Sequence, residues 1–196
     1  MTGPDQTGLD PAVFLDRDGT LNRDKGYIHL WADWEWLPGA PEALARLKGA
    51  GYKLVVVTNQ AGVAKGLYRE EAVRELHRRV NLDLAGRGLP ALDAFYICPH
   101  HPDYSGPCSC RKPAPGLIRL AAAELGLDLA RSFIIGDKLS DAAAGQAAGC
   151  RPLLVRTGHG RAEAAGAPPD LAVAEDLAEA TRFILERFLL GAEPPR

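Results

Sequence analysis

Short apolar runs alternate along this chain with longer segments in which apolar residues recur at the spacing of a helix. Runs of four to eight apolar residues bounded by turn residues predict buried strands. The predicted strands are residues 12–15, 52–57, 94–98, 132–135 and 152–155, with a last edge strand at 171–173. Amphipathic spacing, with proline near several starts and glycine at several ends, predicts the helices between them. The predicted helices are residues 41–49, 70–85, 115–126, 140–149 and 176–190.

This alternation of strands and helices is typical of a doubly wound α/β fold. We therefore predict a three-layer sandwich in which helices cover both faces of a mostly parallel sheet. The 196 residues are enough for one domain, residues 1–196. Right-handed crossovers bring the carboxyl ends of the strands to one edge, where open α/β sheets bind their ligands. Residues that directly follow the strands are therefore the candidates for function.

Composition and charge narrow the function classes. The net charge of −2 gives no support for a nucleic-acid groove or an anionic membrane surface. No apolar run approaches the roughly 18 residues that a membrane helix needs. The first ten residues are polar, lack an early lysine or arginine, and do not resemble a signal peptide. We expect a cytoplasmic, monomeric protein that acts on a small molecule, with no nucleic-acid or membrane partner.

Two carboxylates stand at the end of the first predicted strand. Asp16 and Asp18 lie two residues apart, and such residues point the same way in an extended chain. Adjacent carboxylates repel unless a cation or a shared proton relieves them. Hard oxygen ligands of this kind suit Mg²⁺. The alternative is an ordinary turn or helix cap, because Asp and Gly are common turn residues.

Further polar groups follow the other strands. Thr58 ends the second strand, Arg111 and Lys112 follow the third, and Asp137 and Asp141 follow the fourth. This inventory matches phosphoryl transfer through a covalent aspartyl phosphate. One carboxylate attacks phosphorus, cations and a hydroxyl hold the phosphoryl oxygens, and a second carboxyl group acts as acid and base. Taken singly, Lys112 is a surface lysine and Asp141 a helix cap, but their convergence at one sheet edge favours a site.

A group of zinc-type ligands lies in the segment 98–110. The candidate zinc ligands are Cys98, His100, Cys108 and Cys110. The C-x-H and C-x-C pairs suit a closed tetrahedral Zn²⁺ site, which is typical of a structural rather than a catalytic ion. The alternatives are free cysteines in a turn, or His101 in the place of His100. Cys150 lies outside this group and is expected to be a small buried residue.

These motifs resemble those of the haloacid dehalogenase superfamily of phosphatases. The four signatures appear in chain order as Asp16 to Thr20, Thr58, Lys112, and Gly136-Asp137 with Asp141. The resemblance implies that Asp16 is the nucleophile and Asp18 the general acid and base. It also implies that Thr58 and Lys112 stabilise the phosphoryl group.

The resemblance further implies the magnesium site. Mg²⁺ would be held by the Asp16 carboxylate, the Asp18 main-chain carbonyl and Asp137, and Asp141 would orient this metal shell. Members of the superfamily usually carry an inserted cap domain. The intervals before Thr58 and before Lys112 are too short for one, so we predict a haloacid dehalogenase-like fold without a cap domain, in which loops select the substrate.

Within the capless branch, the zinc loop resembles those of two groups of enzymes. They are the D-glycero-D-manno-heptose 1,7-bisphosphate 7-phosphatases and the histidinol-phosphate phosphatases of histidine biosynthesis. The resemblance to the first group covers about residues 12–158 and implies substrate contacts beyond Thr58. The implied contacts are Asp24, Lys25, Gly26, Tyr27, Asn59, Gln60, Ala61, Arg111 and Lys138. The spacing from His100 to Cys108 is nearer to that of the second group.

Charge favours the sugar bisphosphate. Arg111 and Lys138 add positive charge for a second phosphate, whereas the cationic amine of histidinol phosphate would require a carboxylate. The expected reaction is hydrolysis of the heptose 7-phosphate to leave heptose 1-phosphate, with Mg²⁺ and Zn²⁺ as cofactors. Histidinol phosphate remains the alternative substrate, and a zinc-stabilised binding module without activity is the alternative from another class. A nucleic-acid 3′-phosphatase would require a basic groove, which the composition does not provide.

Overall fold

Six parallel strands form the central sheet. A computed structural model describes residues 8–189 of the chain. The order across the sheet is β3-β2-β1-β4-β5-β6, and every neighbouring pair is parallel. The strands are β1 (Asp10–Leu15), β2 (Lys53–Asn59), β3 (Ala94–Cys98), β4 (Leu127–Gly136), β5 (Arg151–Val155) and β6 (Ala172–Ala174). The sheet is thus wholly parallel, where the sequence predicted a mostly parallel one.

Helices cover both faces of this sheet. They are α1 (Ala40–Gly49), α2 (Ala61–Ala64), α3 (Glu70–Gly86), α4 (Pro102–Ser105), α5 (Gly116–Leu125), α6 (Leu139–Ala148), α7 (Gly160–Glu163) and α8 (Leu177–Leu189). Along β1, Val13 and Leu15 pack into a core that α1, α3 and α8 complete. Phe14 points the other way, into a core that α5 and α6 complete. Burial on both faces explains why the strands read as continuous apolar runs rather than alternating ones.

Strand β4 begins five residues earlier than its apolar pattern predicted. Its first half, from Leu127 to Arg131, is partly exposed and carries charged residues, so it lacks the apolar signal. The pairing of β1 with β4 shifts in register between Pro11 and Val13. Ser132 fills this irregularity, because its hydroxyl accepts from Ala12 N at 2.9 Å.

The connections between the first three strands contain helices but no further sheet. A 3₁₀ helix at Trp31–Asp33 and helix α1 link β1 to β2, and helices α2 and α3 link β2 to β3. The one sheet found in residues 8–189 leaves no separate cap domain there. The predicted three-layer sandwich without a cap is therefore confirmed. In the same described range, no helix is long and apolar enough to cross a membrane.

Candidate active site

A buried lysine at the carboxyl edge of the sheet contacts β2, the residue that follows β1, and helix α6. Lys112 Nζ donates to Asp16 Oδ1 at 2.6 Å and lies 2.7 Å from Asp141 Oδ1. It also donates to the main-chain oxygen of Val57, at the end of β2, at 2.7 Å. Burial alone would lower the pKa of Lys112, but the carboxylates of Asp141 and Asp16 outweigh it and raise the pKa. Lys112 is therefore a permanent cation between two carboxylates.

The main chain of Lys112 is also held from β2. Asn59 donates from Nδ2 to Lys112 O and accepts from Lys112 N, both at 3.1 Å. This reciprocal pair fixes the start of the segment that follows the zinc loop. Asn59 was predicted to contact substrate; in the structure its side-chain amide is used to position Lys112.

Three carboxylates converge beside the lysine. Oxygen atoms of Asp16, Asp137 and Asp141 lie within 4.8 Å of one another. Burial raises the pKa of Asp16 to about 6, with Lys112 opposing it, and raises the pKa of Asp137 to about 7, with the Asp16 charge adding to it. Raised values of this kind are what crowded carboxylates show when no cation is bound, and a divalent ion would relieve them.

The three carboxylates differ in their free oxygens. Asp137 Oδ2 accepts from His159 N at 2.8 Å, whereas its buried Oδ1 has no hydrogen-bond partner among the described residues. Both oxygens of Asp141 are engaged, one by Lys112 and the other by the main-chain N–H of Lys138 at 3.1 Å. The arrangement therefore fits a hard cation held by Asp137 and Asp16, with Asp141 positioning Lys112.

Glycines make room for these carboxylates. A Cβ added at Gly19 or at Gly158 would overlap the carboxylate of Asp137, and one added at Gly136 would overlap that of Asp141. Gly19 also has a φ of +89°, which favours glycine. The close packing of backbone around the acidic cluster thus depends on residues without side chains.

Asp18 lies in a separate hydrogen-bond network. Its carboxylate accepts from Arg17 Nη2 at 2.7 Å, from Asn22 Nδ2 at 3.0 Å and from Gln60 Nε2 at 3.2 Å. Gln60 Nε2 also donates to the buried hydroxyl of Thr58 at 2.9 Å. The carboxylate of Asp18 is outside the three-carboxylate cluster, and the family resemblance implied a metal-binding role only for its main-chain carbonyl.

The predicted substrate contacts in the loop after β1 have different surroundings in the structure. Asp24 accepts from Gly26 N at 2.9 Å and lies 3.4 Å from the ring of His159, whose main-chain N–H donates to Asp137. Lys25 instead pairs with Glu35 at 3.1 Å. Tyr27 has a φ of +51°, a conformation that non-glycine residues rarely adopt and that is typical of functional loops.

Tyr27 contacts a cation that was not among the predicted substrate contacts. Lys65, just after α2, donates to the Tyr27 hydroxyl at 2.8 Å. Its ammonium lies 5.3 Å from the centre of the Tyr27 ring and 5.4 Å from that of Tyr104 in α4. This contact joins the loops that follow β1, β2 and β3. Ala61, another predicted substrate contact, is the first residue of α2.

The two cations expected at a second phosphate have different surroundings. Arg111 Nη1 donates to the main-chain oxygen of His100 at 3.1 Å, so it is tied to the zinc loop. Burial lowers the pKa of Lys138, but the carboxylates of Asp137 and Asp16 outweigh it and raise the pKa. Lys138 therefore balances the charge of the acidic cluster.

The four predicted zinc ligands come together. Cys98, His100, Cys108 and Cys110 place their ligand atoms within 4.8 Å of one another. Three thiols and one imidazole are the donor set of a structural zinc site. His101, the alternative ligand, instead accepts from Asp103 N at the start of α4. Cys150 is buried in the core beside α5 and α6, as expected.

Comparisons with known proteins agree with this geometry. Two family models match the chain, haloacid dehalogenase-like hydrolase over residues 13–84 and HAD-hydrolase-like over residues 109–180. The chain is 49% identical over 154 residues to the D-glycero-β-D-manno-heptose-1,7-bisphosphate 7-phosphatase of Photorhabdus laumondii, covering 76% of this chain and 81% of that protein. The Escherichia coli K12 enzyme of the same name is 44% identical, over 76% and 80% of the two chains.

A solved structure is similar over nearly its whole length. It is the D,D-heptose 1,7-bisphosphate phosphatase of B. bronchiseptica complexed with magnesium and phosphate. The TM-score is 0.83 at 39% identity, covering 90% of this chain and 99% of that one.

Proposed function

Because this chain belongs to the haloacid dehalogenase-like hydrolases that include these heptose bisphosphate phosphatases, we propose that it hydrolyses the 7-phosphate of D-glycero-D-manno-heptose 1,7-bisphosphate. The product is heptose 1-phosphate, and the curated relatives favour the β-anomer of the substrate. The observation that carries the proposal is the buried contact of Lys112 with Asp16 beside two further carboxylates. These residues, with a bound cation, can stabilise the negative charge of a phosphoryl group.

Asp16 is the nucleophile of the proposed reaction. Its carboxylate oxygen attacks phosphorus, the bond from phosphorus to the sugar oxygen breaks, and Asp18 gives that oxygen a proton. Water then attacks the aspartyl phosphate, Asp18 takes the proton from the water, and phosphate leaves as the carboxylate of Asp16 is restored. Lys112 keeps Asp16 ionised and, with the Thr58 hydroxyl, binds phosphoryl oxygens.

Two ions have different roles in this proposal. Asp16, the Asp18 main-chain carbonyl and Asp137 would hold Mg²⁺, and the free Oδ1 of Asp137 supports this assignment. When bound, Mg²⁺ cancels negative charge on the phosphoryl group and on the surrounding carboxylates. Asp141 stays outside this ligand set because Lys112 and Lys138 occupy its oxygens. The four zinc ligands would hold a closed structural ion.

Positive charge on the loops that follow the strands supports the bisphosphate as substrate over histidinol phosphate. Lys65, Arg111 and Lys138 lie on three different loops, which follow β2, β3 and β4, and cations of this kind suit a second anionic group. The carboxylate of the first loop, Asp24, is already engaged by Gly26 and His159. A cationic amine would therefore meet positive charge there.

Substrate comparison tests the proposal. Phosphate release is measured with Mg²⁺ on both anomers of the heptose bisphosphate and on histidinol phosphate, and the product is identified as the 1- or 7-phosphate by NMR. We expect the heptose bisphosphate to be preferred and the 1-phosphate to remain. Preference for histidinol phosphate would replace this substrate by the alternative.

The nucleophile is tested separately. Asp16→Asn is expected to abolish turnover with the fold intact, whereas Asp33→Asn, an exposed control, is expected to keep it. Rapid quenching with labelled substrate should trap phosphate on Asp16 of the unsubstituted protein. A phosphorylated residue elsewhere, or full activity of Asp16→Asn, would contradict the mechanism.

A further inference from the structure

Arg17, between the two catalytic carboxylates in sequence, is completely buried. It is the largest side chain with no solvent exposure in the described residues. A guanidinium stays charged in proteins, and burial of a charge is costly unless it is paired and hydrogen-bonded. The partners of Arg17 therefore show why the charge is kept there.

All three nitrogens of the guanidinium are used. Nε and Nη2 donate to the Asp18 carboxylate, with distances of 3.1 Å for Nε and 3.0 and 2.7 Å for Nη2. Nη2 also donates to the main-chain oxygen of Ile28 at 2.6 Å. Nη1 lies 3.4 Å from Nε2 of His77 in α3. The guanidinium of Arg17 thus contacts the proposed acid/base residue Asp18, helix α3, and the substrate loop, which is the loop after β1 that carries Asp24 to Ile28.

His77 completes this arrangement as a neutral partner. It is 4% exposed and stacks on Phe95 with ring centres 4.4 Å apart. Burial, with the charge of Arg17 adding to it, lowers the pKa of His77 to about 3. A neutral imidazole accepts a hydrogen bond from Arg17 without adding a competing charge.

We propose that Arg17 is a positioning residue that orients Asp18 for proton transfer and fixes the substrate loop to it through Ile28. This inference rests on the proposed function, because it concerns the acid step of that reaction. A point charge would not reproduce the effect, since the fork of an arginine holds a carboxylate in a defined plane. The guanidinium of Arg17 then positions both the substrate loop and the carboxyl group of Asp18.

Leaving-group dependence tests the inference. A sugar phosphate expels a poor leaving group and needs a proton from Asp18, whereas 4-nitrophenyl phosphate expels a stable phenolate and does not. Arg17→Met is expected to lower kcat/KM about 100-fold on the heptose bisphosphate and less than about tenfold on the aryl phosphate, since general acid catalysis contributes roughly 10²- to 10⁴-fold. The ratio of the two losses does not depend on the folded fraction of the variant.

Three further variants complete the experiment. Asp18→Asn sets the reference, and it is expected to show the same selective loss and to keep KM for the bisphosphate. Arg17→Met is expected to raise that KM several-fold as well, because the loop loses its anchor. Arg17→Lys keeps the charge without the fork and should resemble Arg17→Met. Arg78→Met, at an exposed arginine of α3, is the matched control and should leave kcat/KM unchanged for both substrates.

The outcomes separate the inference from the proposed function. If Asp18→Asn is selective but Arg17→Met loses both substrates equally, Arg17 has only a structural role and the inference is wrong. An unchanged KM in Arg17→Met would contradict the link to the loop. If Asp18→Asn itself shows no leaving-group selectivity, the acid role in the proposed function fails first, and the inference fails with it.

Discussion

Lys112 Nζ lies 2.6 Å from Asp16 Oδ1, and both side chains are almost completely buried. Removal of the cation by Lys112→Met leaves Asp16 and Asp141 as unpaired buried carboxylates. Breaking a buried pair in this way costs about 3–5 kcal/mol of unfolding free energy. Loss of the charge is also expected to lower kcat by about 100-fold or more.

Denaturant unfolding and steady-state kinetics measure both effects. Lys53→Met, which removes an exposed ion pair with Asp10, is the control and should change the unfolding free energy and kcat only slightly. A Lys112→Met protein with ordinary stability and turnover would show that the ammonium is not needed by Asp16.

The raised pKa values of Asp16 and Asp137 predict how stability depends on pH. Between about pH 4 and pH 7 the folded protein holds more protons on these carboxylates than the unfolded chain does. The contribution of these two groups to the stability of the metal-free protein is therefore fully present below the ordinary aspartate pKa and is lost as pH rises through about 6 to 7. Each unit of raised pKa corresponds to about 1.4 kcal/mol.

Thermal unfolding with and without Mg²⁺ checks this prediction. The ion should raise Tm by several degrees at pH 7.5 and by less at pH 5, because the carboxylates are protonated at the lower pH. Asp137→Asn removes one titrating group and should flatten the pH dependence. An Mg²⁺ effect that is equal at both pH values would contradict the assignment.

The zinc loop is expected to control activity through Lys112. Cys110→Ala removes one ligand only two residues before Lys112 and should reduce zinc content from about one equivalent to well below it. Turnover should fall by about tenfold to 100-fold, since a misplacement of about 1 Å can cost that much.

Metal analysis, phosphate release and circular dichroism follow these changes. Cys150→Ala is the matched control, because Cys150 is buried but is not one of the four grouped ligands, so zinc content should stay unchanged. Full zinc content in Cys110→Ala would show that this thiol is not a ligand.

Gly136→Ala tests the packing of backbone against the acidic cluster. The added methyl group would overlap the carboxylate of Asp141, which must move and release Lys112. We expect activity to fall about 100-fold, again from a displacement of about 1 Å. Gly86→Ala, at the end of α3 with open space around its Cβ position, should leave kcat unchanged. Equal kcat in the two variants, measured with saturating substrate, would show that Asp141 tolerates the shift.

Much of the fold is predictable from the sequence because its strands are buried on both faces. Runs such as Val55 to Val57 carry an unbroken apolar signal, and the polar residues that follow them mark the carboxyl edge. The first half of β4 lacks that signal, because Asp128 and Arg131 sit in a partly exposed stretch of strand. Helix α2 was missed because it is four residues long and contains a glycine.

The site is predictable only as far as strand ends determine it. Asp16 and Asp137 come directly after β1 and β4, and Thr58 lies near the end of β2, so their positions can be predicted. The direction in which a side chain points cannot be predicted in this way. Asn59 turns to the main chain of Lys112, 53 residues away, and Arg17 reaches His77, 60 residues away. Such partners are set by tertiary packing, so a local pattern carries no information about them.

Lys112 follows Cys110 with a single residue between them, so the cation that contacts the proposed nucleophile directly follows the loop that would bind zinc. The reaction would then depend on the supply of two elements that cells obtain and store by different routes. Under zinc starvation, newly made copies of the protein would turn over substrate more slowly even with abundant magnesium. Sugar phosphates upstream would accumulate although every residue that touches them was intact.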